Sequence, residues 1–488
     1  MGIKHFFSWF KHNKQLKQTI MNSVPETIDH VLIDMNGVIH EAAQFVFKYG
    51  KHQSKINLPQ YLKSRITPPT NEDLYSKIKE RVNEILAALN PRKSVFLAID
   101  GVAPKSKQNQ QRQRRFRAAA ERDGTGLTFD SNCITAGTSF MKDLSNSLIN
   151  VREWIDVQKN VDVTMSSESI PGEGEHKLIT WINNYGVDAE GQRNCLSDVY
   201  CVVGLDADLI LLCMLANKEN IYIMREGDRW TDYIDISLTR KLIPISADDL
   251  IVLSCFIGND FLPPIPTLEI KESSPEIGAL DYFIQYYSVH PKTKLIDRRN
   301  GFLNMTQIRQ ILKEISFREQ AIMEARRTDS SRFENPMWTG DIEKYREQYH
   351  KTKLHFADPV QIVRDYMKTV QWVYLYYSKH LTSEPSWDWY YPYNYSLHAN
   401  AFEQHIPLNV RRFSFTTSAP SHPHEQLLRV IPPKNKDLIP EYLHEHYDSL
   451  INRSSNIFKI DKTGKREEWE AVTIVDFVDP QDITYKET

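Results

Sequence analysis

Three apolar runs of strand length in this chain each finish in aspartate: VLID at 31–34, SVFLAID at 94–100 and VYCVVGLD at 199–206. Runs this continuously apolar are buried on both faces, which is the pattern of a parallel sheet. Between the first two, Leu74, Ile78, Val82, Ile85, Leu86 and Leu89 recur at helical spacing, with acidic residues in the first turn. Strands alternating with helices imply an α/β fold, a largely parallel sheet flanked by helices. Ligands of such sheets bind outside the carboxyl ends of the strands, so Asp34, Asp100 and Asp206 are aimed at one crevice. A single terminal aspartate is an ordinary turn or N-cap residue. The repetition is what points to function.

Composition narrows the classes. A length of 488 residues allows two to four domains, and 60 Lys and Arg against 63 Asp and Glu leave a net charge of −3. That balance argues against coating nucleic acid by bulk electrostatics and requires any polyanion site to be local. Five cysteines without a CxxC pair indicate neither a disulfide framework nor a zinc knuckle, as in a reducing compartment. The N-terminus lacks an apolar signal segment, and Phe6 stands where a myristoylation signal needs Ser or Thr. The most apolar stretch, 199–216, holds Asp206 and Asp208. Each would cost about 2.5–3.5 kcal/mol at a bilayer centre, so the stretch reads as a buried strand and helix. The expectation is a cytoplasmic monomer without membrane contact.

The polar, charged stretch 326–358 suits a linker, dividing the chain into 1–325 and 359–488. Beyond it lies an aromatic block: Trp372, Tyr374, Tyr376, Tyr377, Trp387, Trp389, Tyr390, Tyr391, Tyr393 and Tyr395. Core packing accounts for most of these. Trp387 and Trp389, beside Pro385, are better placed for exposure than Trp372, and together with His40 they are candidates for stacking on unpaired bases.

Further acids join the three strand ends: Asp208, Glu173 and Glu175 in IPGEGEHKLITWI, and Asp260 in IGNDFLPPIP. Each alone can be helix-dipole compensation or an N-cap. One hypothesis covers Asp34, Asp100, Glu173, Glu175, Asp206, Asp208 and Asp260 together: two hard divalent cations held by carboxylates, an arrangement suited to phosphodiester cleavage. The run KSKQNQQRQRRFR at 105–117 has six basic residues and no acid, and taking those charges from the net −3 leaves −9 elsewhere. On a helix, Lys107, Gln111, Arg114 and Arg115 share a face able to hold a phosphate. A solvated helix face or a nuclear localisation cluster is the alternative. The position just after Asp100 favours the phosphate.

The blocks MGIKHFFSWF, VLIDMNGVIH, FLAIDGVAPKSKQNQQRQRRFR, IPGEGEHKLITWI, VVGLDADLILL, IGNDFLPPIP, QWVYLYYSKHLTSEPSWDWYYPYNY and EQLLRVIPP together resemble the XRN-type 5′→3′ exoribonucleases. The similarity is spread over 1–482, nearly the whole chain. It implies a PIN-like, flap-nuclease-related catalytic region followed by an α-rich second region that walls off the active site. It also implies that the seven acids hold two Mg²⁺ or Mn²⁺ ions, and that Lys107, Gln111, Arg114 and Arg115 form a pocket for a 5′-monophosphate. His40 and either Trp387 or Trp389 would sandwich the leading base. The chain departs from the family's usual N-terminus at Lys4, His5 and Ser8, which bears on the packing of that segment. It reads as a compact version confined to the catalytic core.

The expected activity is processive hydrolysis of single-stranded RNA from a 5′-monophosphate to nucleoside 5′-monophosphates. Three other readings stand beside it. A flap-type DNA nuclease shares the acids. A haloacid-dehalogenase-like phosphatase is suggested by VLIDMNG, where Asn36 replaces the second Asp that chemistry needs. A catalytically inactive RNA-end-binding protein would be expected to lack one of the carboxylates.

Overall fold

A computed structural model describes residues 2–24, 27–52, 68–121, 129–186, 197–227, 230–272, 278–378, 386–453 and 458–478. Its main sheet has seven strands in the order β1-β7-β6-β5-β2-β3-β4. They are β1 Ile20–Met21, β2 His30–Asp34, β3 Ser94–Ala98, β4 Asp162–Ser166, β5 Tyr200–Val203, β6 Ile221–Gly227 and β7 Trp230–Asp235. Strands β2 to β6 pair in parallel, and β7 and β1 close one edge antiparallel. The α/β architecture and largely parallel sheet expected from the sequence are present.

Side chains alternate across the sheet as a pleated strand demands. Val31 and Ile33 of β2, Val95 and Leu97 of β3, and Cys201 and Val203 of β5 face a core formed with the helices Met35–Phe47, Asn71–Leu89 and Ser139–Leu148. Leu32, Phe96, Tyr200 and Val202 face the opposite core, which runs without a break through Ala247–Ile257 into the long helices Met305–Arg327 and Pro359–Tyr377. Helix Asn71–Leu89 begins at the expected acids, closed by a capping box between Thr70 and Asp73.

Two expectations are corrected. The apolar runs do not carry their strands as far as the aspartates: β3 ends at Ala98 and β5 at Val203, so Asp100 and Asp206 lie on the loops that leave the strands. Strand β4, DVTMS, carried no apolar signal because its side chains are half-buried or exposed. The segment 326–358 is also no simple tether. Helix Ile342–Leu354 lies within it, with Tyr345, Tyr349 and Leu354 in the main core. The charges that read as solvated are consumed in burial: Arg326 pairs with Glu272, and Arg332 reaches Glu269 at 2.9 Å and Glu272 at 2.8 Å.

Cys133, Cys201, Cys213 and Cys255 are buried, whereas Cys195 and Pro385 lie outside the described residues. Among the described residues no helix is long and apolar enough to cross a membrane.

Candidate active site

The order of the strands locates the crevice. The chain runs outward from β2 to β3 and β4, then returns to lay β5 on the other side of β2. The switch point lies between β2 and β5, and the space beyond their carboxyl ends is where a ligand enters such a sheet. Asp34 closes β2 there and caps helix Met35–Phe47, accepting the Asn36 N–H at 3.1 Å. Asn36 in turn grips Asp100: its Nδ2 donates to Asp100 Oδ2 at 2.7 Å, and its Oδ1 accepts from the Asp100 N–H at 3.0 Å.

Two loops are joined beside Asp100. Gly101 N–H donates to the Gly172 carbonyl at 2.9 Å and Gly172 N–H to the Val102 carbonyl at 2.8 Å. This sets the first turn of helix Gly174–Asn184 against Asp100, whose Oδ1 accepts from the Gly174 N–H at 2.6 Å. Glycine is required at 174, because a Cβ there would lie 2.9 Å from Asp34 Oδ1 and 3.2 Å from Asp100 Oδ1. Glu173 and Glu175 flank it, both buried.

Asp206 and Asp208 come from the β5 exit loop and the start of helix Asp208–Leu215, and Asp260 from the loop after Ala247–Ile257. The structure brings all seven acids into electrostatic contact. Burial, then the neighbouring carboxylates, pushes Asp34 and Glu175 well above the usual carboxylate range and Asp208 up to about 6. Glu173 is also raised by burial, in spite of Lys107. At Asp260 burial is outweighed, with Lys107 the foremost side-chain cause, and the carboxyl is held low. Lys107 Nζ is 2.5 Å from Glu173 Oε2 and 2.8 Å from Asp260 Oδ2.

Glu175 Oε2 and Asp208 Oδ1 are buried without a hydrogen bond. Ligand atoms of Glu173, Glu175 and His176 lie within 4.8 Å of one another. Carboxylates forced together at this cost, with oxygens left over and Lys107 as the paired cation among them, are compatible with divalent cations, which would neutralise the repulsion.

Tyrosines from the helix Pro359–Tyr377 complete the wall. Tyr376 OH donates to Glu173 Oε1 at 2.8 Å and Tyr377 OH to Asp208 Oδ2 at 3.0 Å. These two, with Asn36, His176 and Gly2, are site residues that the sequence reading did not pick out. The Gly2 Cα lies so close to Asp208 that a Cβ would overlap its Oδ1. The departures at Lys4 and His5 have partners of their own. Lys4 Nζ donates to the Glu470 carbonyl at 2.7 Å, and His5 Nε2 meets Glu470 Oε1 at 2.5 Å.

The basic run folds as the expected helix, Lys105–Glu121, but it is an interior element rather than a solvated face: Lys105, Ser106, Lys107, Gln108, Gln111 and Arg112 are buried. Of the four proposed phosphate ligands, Lys107 points into the acids. Gln111 Oε1 is buried without a partner, Arg115 Nε donates to Thr135 Oγ1 at 2.9 Å, and Arg114 is exposed. His40 lies beside the two arginines. Burial, then the charges of Arg114 and Arg115, pushes its imidazole down to about 4, leaving the ring neutral at pH 7. The two tryptophans differ. Trp389 is engaged, its Nε1 donating to Thr369 Oγ1 at 3.0 Å and its ring under Lys368 Nζ at 3.9 Å. Trp387 is half-buried, and its carbonyl accepts the Lys105 N–H at the head of the basic helix.

Residues 1–227 match the model of the XRN 5′-3′ exonuclease N-terminus, and residues 245–340 and 342–487 match the Xrn1 helical domain. The boundary between them falls earlier than the division at 325. Curated relatives include human 5′-3′ exoribonuclease 1, 25% identical over 98% of this chain and 33% of the relative. The Schizosaccharomyces pombe 5′-3′ exoribonuclease 1 is 24% identical over 98% and 48%, and the Drosophila melanogaster 5′-3′ exoribonuclease 2 homolog 24% identical over 98% and 70%. The chain thus spans less than half the length of the first two. Among solved structures, the catalytic core of Rad2 in complex with DNA substrate matches with 13% identity and a TM-score of 0.37, covering 92% of this chain and 99% of that one. Flap endonuclease-1 from Methanococcus jannaschii matches with 17% identity and a TM-score of 0.29, covering 55% and 74%. With both family regions matched in order along almost its entire length, the chain belongs to the XRN 5′-3′ exonuclease family.

Proposed function

We propose that this chain is a divalent-cation-dependent 5′→3′ exoribonuclease that removes nucleoside 5′-monophosphates from single-stranded RNA bearing a 5′-monophosphate. The observation that carries the reading is the meeting of seven acids at the sheet's switch point, next to a buried helix that presents cations. Mg²⁺ or Mn²⁺ held by Asp34, Asp100, Glu173, Glu175, Asp206, Asp208 and Asp260 would supply Lewis-acid activation of water and of the scissile phosphodiester.

The chain's own residues do the rest. Arg114 and Arg115, with Gln111, take the terminal phosphate, and the charge they offer is matched by a monophosphate and blocked by a cap. Lys107, fixed between Glu173 and Asp260, lends positive charge to the end of the pocket nearest the acids. The neutral His40 ring offers a stacking face for the leading base, and Trp387, which is half-buried and whose ring makes no hydrogen bond or ring contact among the described residues, serves as its counterpart. Asn36, Tyr376 and Tyr377 orient carboxylates and touch no substrate. Matched RNAs with 5′-monophosphate, 5′-hydroxyl and capped ends test the pocket. The monophosphate RNA is expected to be digested at least tenfold faster, an expectation of about 1.4 kcal/mol from one charge-assisted contact. Equal rates on all three would remove the pocket assignment.

A further inference from the structure

Helix Met35–Phe47 carries a glycine, Gly37, in its first turn. No feature of the described chain requires it. Its backbone is helical with no positive φ, so alanine would fit the conformation, and a Cβ built there would meet no atom within 4 Å. Inside a helix glycine is less favourable than alanine, because it loses more backbone freedom on folding. A glycine that neither conformation nor packing demands leaves one further use, the close approach of something outside the chain to the backbone.

The helix fixes where that approach would come from. Met35, Val38, Ile39, Ala42 and Ala43 bury its core side. Gly37, His40, Glu41 and Gln44, spaced three and four apart, form the other stripe. Asp34 at the head of the stripe belongs to the acid cluster, and His40 lies in the field of Arg114, Arg115 and Asp206. The far end is closed by the chain itself: Lys51 Nζ is 3.1 Å from Glu41 Oε1, and Gln44 Oε1 accepts the Lys51 N–H at 3.2 Å. The bare part is at Gly37, half-buried yet facing open space. It lies midway along about 9 Å of helix between Asp34 and His40.

We propose that the sugar–phosphate of the leading nucleotide lies against the bare backbone at Gly37, between the acids at one end and the His40 ring at the other. The proposal rests on the exonuclease reading above. A methyl group at this position would leave the contacts within the described chain as they are and intrude only on the substrate.

The test uses the intact protein and three measurements: the melting temperature with and without Mg²⁺, kcat and KM on 5′-monophosphorylated RNA, and the same constants on an RNA whose first nucleotide lacks its base. For Gly37→Ala the expected result is a melting temperature at or above that of wild type, with an unchanged response to Mg²⁺. Its kcat/KM falls about tenfold, and that of the bulkier Gly37→Leu about 100-fold or more. Relative to wild type on the same RNA, the losses persist when the first base is absent. Wild-type kcat/KM in both variants overturns the Gly37 assignment alone. Activity lost by Gly37→Ala together with a lowered melting temperature or a lost Mg²⁺ response overturns it in favour of a role in the fold or the acids. A loss that disappears on the base-free RNA overturns it in favour of the base. A wild type that digests no RNA overturns the functional reading and the role of Gly37 with it.

Discussion

Gly174 sits between two carboxylates with no room for a methyl group, its would-be Cβ 2.9 Å from Asp34 Oδ1. Gly174→Ala must therefore displace Asp34, Asp100 or the helix that starts there. Misplacement of catalytic groups by about 1 Å costs on the order of 100-fold in rate, and a loss of that size in kcat with an intact circular dichroism spectrum is the expected outcome. Asp208 gives a pH test. Its carboxyl is raised from the ordinary 3.8 to about 6, so between those values the native state binds more protons than the unfolded chain. Its contribution to stability is full below the lower value and is lost as pH rises through about 6. Without divalent cations, the melting temperature of wild type minus that of Asp208→Asn should fall across that window, and Mg²⁺ at pH 7 should stabilise wild type more than the variant. A difference independent of pH would show that Asp208 is not held against its neighbours as described.

The helix Lys105–Glu121 shows what burial does to an element whose sequence reads as surface. It buries Arg112, whose Nε donates to the Asp476 carbonyl at 3.0 Å and whose Nη1 donates to the Arg429 carbonyl at 2.5 Å. Removing the guanidinium takes a buried donor from both carbonyls, so Arg112→Ala should lower unfolding free energy by roughly 1–3 kcal/mol, read from the denaturant midpoint at unchanged slope. The helix Pro359–Tyr377 supplies the other case. Tyr376→Phe and Tyr377→Phe each remove one hydroxyl from a buried carboxylate and nothing else, and each should cut kcat about tenfold or more while leaving the fold.

Neither role was legible in advance. The aromatic spacing of that helix is what core packing produces, and it does so at Trp372, Tyr366 and Tyr374, all buried. Only the contact across the fold, 203 residues in sequence from Glu173 to Tyr376, separates a hydroxyl with a task from a ring that packs. The acids were legible for the opposite reason. Each follows an apolar run or a glycine-flanked helix start, local patterns that survive without the tertiary structure. Segment 326–358 misled because a buried Arg–Glu network such as Arg332 with Glu269 and Glu272 has the composition of a solvated loop.

The chain behaves as one packed body around the sheet. Phe256, Tyr366, Trp372 and Phe402 share a core with Leu32 and Phe96 of the strands, so the apparent halves on either side of 326–358 are not separable. A fragment ending at residue 325 would leave that core open and would lose Tyr376 and Tyr377 from the acids. It is expected to be insoluble or inactive, whereas the full chain should unfold in a single transition. The near-neutral net charge of −3 also takes on meaning here, as an acid cluster and a basic helix placed side by side.

The most direct test of the account is digestion of an RNA labelled at its 5′-phosphate, in Mg²⁺, with Glu175→Gln and a chelator as controls. Labelled nucleoside 5′-monophosphate should be the first product, and both controls should abolish it. Label retained in fragments while the 3′ end shortens, or undiminished release by Glu175→Gln, would contradict the account.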